Sequence, residues 1–169
     1  MPSTSASRII PAPAREVWEV LADVENAMRW NSAWKEVEIT SSQTHGAGTR
    51  FRARVDDEQA YEFEIADWVV PEFISFTPVY DPAEPFYSIT LDGHAFRLTR
   101  IDEQATAVEL IASASTHGFR GIVMGLFMWG NHQKPGLIRA LDRLQAIFDP
   151  DMEIVEGEEY ELLEEGDAE

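Results

Sequence analysis

Residues 121–148 read GIVMGLFMWGNHQKPGLIRALDRLQAIF. In the second half, Leu137, Ala140, Leu141, Leu144 and Phe148 recur at helical spacing, which sets one apolar stripe against a core. The first half, Gly121 to Trp129, is apolar nearly all round. A helix of that kind must be covered on most sides or border something greasy. Pro135-Gly136 interrupts the pattern, and a proline inside a helix removes a hydrogen bond and crowds the preceding turn. A kink or break is expected there.

The residues before this helix read mainly as strands. Phe51, Ala53 and Val55 alternate with Arg50, Arg52 and Arg54; Tyr61, Phe63 and Ile65 alternate with Glu62 and Glu64. Period-two alternation marks half-buried antiparallel strands. The arginines and glutamates are placed to pair across the outer face. Trp68-Val69-Val70 breaks the phase and predicts a bulge near Asp67. Strands are also expected over 37–40, 73–77 and 108–114, where Val108, Leu110, Ala112 and Ala114 share a face whose small residues leave room. Between them, His94, Phe96 and Leu98 share another face, and Asp92-Gly93 leaves open whether 86–91 is a separate strand. Ahead of these lie a first strand over 4–10 and a helix over 14–22, with Pro13 suited to its first turn. Asn26 is a fair N-cap for a second short helix. Antiparallel strands with helices grouped at the ends define an α+β fold. A curved sheet around the terminal helix is the simplest way to cover so apolar a segment.

The 169 residues suit one domain. Cysteine is absent, so no disulfide or thiolate chemistry is expected. The net charge is -18, and ten acids with no base fall in 150–169. Residues 1–149 are therefore expected to form the domain, followed by an acidic, disordered tail or a segment that folds on a partner. Nucleic acid is excluded by this balance and the lack of a basic stripe. The longest greasy run is too short for a membrane span and no secretory signal is visible, so the default is a soluble cytoplasmic protein.

Residues 9–23, IIPAPAREVWEVLAD, with Trp30-Asn31 after them, resemble the opening of the START/Bet v 1-like (SRPBCC) superfamily. The closest branch is the polyketide cyclase/dehydrase and lipid-transport family. Residues 46–51, GAGTRF, resemble its glycine turn, and Trp68 to Phe76 its strand–proline–strand segment. The resemblance covers roughly 4–149. It implies a helix-grip fold, a bent antiparallel sheet wrapped on the C-terminal helix with a cavity between, in which relatives hold lipids, quinones or polyketides. Fold alone does not fix function here.

The expected function is binding or transport of a hydrophobic small molecule in that cavity, with no cofactor. The residues expected to meet the ligand are Trp30, Trp34, Tyr61, Phe63, Phe76, His94, Phe96, Met124, Phe127, Met128 and Trp129, with Trp30 and Trp129 at the rim. Aromatic and methionine side chains make an adaptable apolar lining, and they serve equally as plain core. Two other readings stand beside it. A cyclase or dehydratase would use a cavity acid or base, for which His94 and Asp67 are the candidates. A protein-interaction module of the chaperone-activator kind would use the 122–129 patch, which also suits a homodimer contact. The four histidines are scattered, so no metal site is expected. No Ser–His–Asp set, phosphate loop or dinucleotide glycine pattern is present.

Overall fold

A computed structural model describes residues 2–80, 89–118, 122 and 130–152, with the side chain of Ile89 excluded. Seven strands form one antiparallel sheet in the order β1-β7-β6-β5-β4-β3-β2. They are β1 (Ser3–Ile10), β2 (Glu36–Ile39), β3 (Arg50–Arg54), β4 (Ala60–Val69), β5 (Phe73–Pro78), β6 (Ile89–Arg100) and β7 (Thr106–Thr116). Helix α1 (Ala14–Ala22) and a 3-10 helix, η1 (Val24–Arg29), follow β1; α2 (Gly130–Phe148) ends the described fold. This is the helix-grip α+β architecture, a curved sheet closed on a C-terminal helix.

Helix α1 starts directly after Pro13, whose carbonyl accepts from Glu16 and Val17. Val17, Trp18 and Leu21 are its buried face. The second short helix begins at Val24, not at an Asn26 cap; Asn26 instead donates its side-chain amide to Asp23 Oδ2 at 2.8 Å. Its 3-10 form and the non-helical backbone at Asn26 follow from a segment with only Val24 and Ala27 to bury.

The pleat puts Phe51 and Ala53 inward from β3, and Phe63 and Ile65 inward from β4. The register shifts between Ile65 and Asp67, which turns Trp68 back to the inner face. There its ring meets Trp18 of α1 edge-on at 5.2 Å. On the outer face Arg50 pairs with Glu64 at 2.8 Å, and Arg54 pairs with Glu36. Glu62 departs from the expected ladder, accepting from Thr40 Oγ1 at 3.0 Å.

Residues 89–100 form one strand, not two, with a bulge at Asp92. Gly93 is required there. Its φ is +152°, and a Cβ would lie 2.4 Å from the Phe76 carbonyl oxygen of β5. The next residue is His94, so this close approach sets where its ring projects.

Helix α2 lies mainly across β1 and β7. Leu137, Leu141 and Leu144 are buried, and Ala140 and Phe148 pack partly against the core, as the spacing predicts. Arg8 of β1 donates from Nε to Asp142 Oδ1 at 2.8 Å and ties helix to sheet. The expected break at Pro135-Gly136 is absent: α2 runs helical through both. Among the described residues, no helix is long and apolar enough to cross a membrane, and no cluster of potential metal ligands occurs.

Candidate functional site

Six aromatic side chains form a connected cluster against the inner face of the sheet. Phe51 and Phe63 stack at 5.5 Å, and Trp34 touches both. Trp30 sits edge-on to Phe96 at 5.0 Å and stacks on Phe76 at 6.4 Å. All six are buried. On the Trp30 side the packing stops short of the helix, and a cavity of about 440 Å³ remains.

Its sheet wall is Phe76 of β5, His94 and Phe96 of β6 and Leu110 of β7. These residues are register neighbours, Phe76 opposite His94 and Phe96 opposite Leu110. Trp30 and Trp34 close one side, with the loop Asn31–Ala33 between them. The helix wall is Gln133, Gly136, Leu137 and Ala140, with Arg139 beside them. That set recurs at i, i+3, i+4, i+7 and contains a glycine and an alanine. The space exists because small residues of α2 face large rings of the sheet across a gap. A Cβ built on Gly136 meets nothing within 4 Å.

The lining is apolar where it is buried, at Trp30, Phe76, Phe96 and Leu110, and polar where it is exposed, at Ser32 and Arg139. Asn31 Oδ1 accepts from the Ala33 N–H at 3.1 Å, which leaves the Asn31 amide donors for the opening. His94 is half-buried in the wall, and none of the hydrogen bonds among the described residues uses its ring. Enclosure by protein pushes its pKa down to about 4, because the charged imidazolium loses hydration there. His94 is therefore a neutral imidazole at neutral pH, able to donate from one nitrogen and accept at the other. The indole N–H of Trp30 is buried without a partner among the described residues. Such a group costs about 1–3 kcal/mol while it stays unpaired.

The residues expected from sequence divide into three groups. Trp30, Trp34, Phe76, His94 and Phe96 come together at this cavity. Trp30 lies in its wall at 3% exposure, so it is not a rim residue. Tyr61, Phe63 and Asp67 are elsewhere. Phe63 fills the core against Phe51 and Trp34, and Tyr61 shares its face but is 49% exposed. Asp67 is at the predicted bulge yet on the outer face, where its carboxylate accepts from Ser75 Oγ at 2.7 Å. As a cavity acid it is ruled out by that orientation. Met124, Phe127, Met128 and Trp129, the 122–129 dimer face except Ile122, and the tail beyond Met152 lie outside the described residues.

The small β7 residues are not in the described lining of this cavity. Ala112 and Ala114 are fully buried, and neither lines the cavity. Gly136 and Ala140 do that work. Asn31, Ser32, Leu110, Gln133, Gly136 and Arg139 were not anticipated. The signal available was the 133/136/137/140 spacing, obscured by reading Pro135-Gly136 as a break.

A second cleft of about 420 Å³ lies between α1 and the β2–β3 loop. Trp18 and Trp68 line it together with Glu19, Asp23, Glu25 and His45. It is more open and more acidic than the cavity under α2.

The chain belongs to the polyketide cyclase/dehydrase and lipid-transport family, whose model matches residues 1–146. A comparison with curated proteins found no match. Among solved structures, the Zhui aromatase/cyclase from a Streptomyces species is similar with 18% identity and TM-score 0.63, over 92% of this chain and 98% of that one. A START superfamily protein from Mycobacterium smegmatis has 14% identity and TM-score 0.60, over 90% and 100% of the two chains. A protein from Thermobifida fusca has 16% identity and TM-score 0.65, over 89% and 95%. At these identities the likeness is one of fold.

Proposed function

We propose that this protein binds a hydrophobic small molecule, of the lipid, polyketide or quinone kind, between its sheet and α2. The observation that carries the reading is the 440 Å³ cavity walled by Trp30, Phe76 and Phe96 on one side and by Gly136 and Ala140 on the other. A guest burying about 200 Å² of apolar surface would gain roughly 5 kcal/mol before ordering costs. Neutral His94 would then orient the guest by a hydrogen bond to a carbonyl or hydroxyl.

The presence of His94 in the wall also favours a second reading, a cyclase or dehydratase that uses it. Binding accounts better for the chemistry of this group. An imidazole with a pKa near 4 is a weak general base at neutral pH. Its ring also faces no carboxylate among the described lining residues.

The test is titration with the neutral fluorophore naphthol. The wild type is expected to bind it saturably at one site. Gly136→Phe, which projects a ring into the open space, should abolish binding while leaving the thermal unfolding midpoint in place. Undiminished binding by a folded Gly136→Phe protein would refute the assignment.

A further inference from the structure

We infer that the guest of the α2 cavity is an amphiphile with a singly charged anionic group, held at the mouth by Arg139 while its apolar body lies against Trp30, Phe76 and Phe96. The inference rests on the proposed binding function and specifies the class of ligand.

Three observations support it. The first is the charge at the mouth. Acids outnumber lysine and arginine 31 to 13 in this chain, yet the described cavity lining includes an arginine and no carboxylate. The second is the state of that arginine. Arg8, Arg15, Arg50, Arg54, Arg97 and Arg100 each have a carboxylate partner, whereas Arg29, Arg52 and Arg139 have none among the described residues, and of these three Arg139 is the one that lines the cavity. Asp142, an acid on the same helix, is taken by Arg8 at 2.8 Å. The third is the polarity of the neighbours. The Asn31 side-chain oxygen Oδ1 already accepts from the Ala33 N–H, so its NH₂ group remains, and Ser32 and Gln133 add further donors to the lining. A donor-rich rim with one exposed guanidinium can meet an anion's oxygens.

The net charge of -18 opposes an anion at long range. At physiological salt, charges more than about 8 Å away are largely screened, so the local guanidinium decides the bound state. One guanidinium matches one negative charge, and a carboxylate accepts two of its N–H bonds side by side.

Calorimetric titration with naphthylbutanoate and with naphthylbutanamide at neutral pH tests this. The pair shares its rings and chain and differs in charge. The wild type is expected to bind the carboxylate about fivefold more tightly than the amide, the upper end for a solvent-exposed ion pair. Arg139→Gln should erase that preference. Lys134→Gln, which removes an exposed cation of α2 outside the cavity lining, should preserve it. Equal affinity for both probes in the wild type, or a preference that survives Arg139→Gln, would overturn the inference and leave the binding function standing. Failure of both probes to bind would overturn the binding function itself.

Discussion

Acidification should destabilise this fold through His94, and the size of the effect follows from its surroundings. The folded-state pKa is lowered from 6.5 to about 4 by loss of hydration in the cavity wall. A base whose pKa is depressed on folding is neutral in the native state and takes up its proton more readily when unfolded. The stabilisation is complete above pH about 6.5 and is lost as pH falls toward about 4. Each pKa unit corresponds to about 1.4 kcal/mol, so the whole window is worth roughly 3 kcal/mol at most. Between pH about 7 and about 4.5 the loss should be about 2 kcal/mol. Urea unfolding of the wild type and His94→Gln at both pH values isolates the term, because every other titrating group is common to the two proteins. The wild type should lose about 2 kcal/mol more than the variant over that interval. Parallel losses in both proteins would refute the placement of a dehydrated imidazole in the cavity wall.

Further expectations concern the frame around the cavity. Gly93→Ala should cost about 1–3 kcal/mol, because the added methyl meets the Phe76 carbonyl oxygen at 2.4 Å and cannot move without parting β5 from β6. Gly136→Ala should be neutral or stabilising by up to ~1 kcal/mol, since it adds helix propensity in open space; chemical denaturation reads both. Leu141→Ala should cost about 2–5 kcal/mol by the same assay, because that side chain is fully buried under α2. For Arg8 and Asp142, a double-mutant cycle with alanine should give a coupling below ~1 kcal/mol, as both side chains keep partial contact with water.

Much of the fold was legible in the sequence because its signals are periodic. Strand alternation at Phe51/Ala53 and Phe63/Ile65 set the inner faces of β3 and β4, and the phase break at Trp68 located the bulge. The Leu137/Leu141/Leu144 stripe set the face of α2. The site was less legible, because a cavity is defined by what is missing across a gap. Alternation placed Phe63 on the inner face, where the structure also puts Phe76, but pattern alone does not separate a core residue from a wall residue. Tyr61 shares that face and is nonetheless exposed. Asp67 needed the exact bulge geometry to be assigned to the outer face. Gly136 was hidden by Pro135: a kink or break was expected there, whereas α2 stays helical through both and Gly136 joins the cavity lining. The charge at Arg139 carried no sequence signal, since its meaning depends on which arginines find partners.

The central claim is that a guest occupies the space between Gly136 and the Trp30–Phe76–Phe96 wall. It is tested most directly by nuclear magnetic resonance of the labelled protein titrated with naphthylbutanamide. The account predicts saturable shifts centred on Trp30, Phe76, His94, Phe96 and Leu110, absent in folded Gly136→Phe. Shifts centred instead on the Trp18–Trp68 cleft, or none at saturating probe, would contradict it.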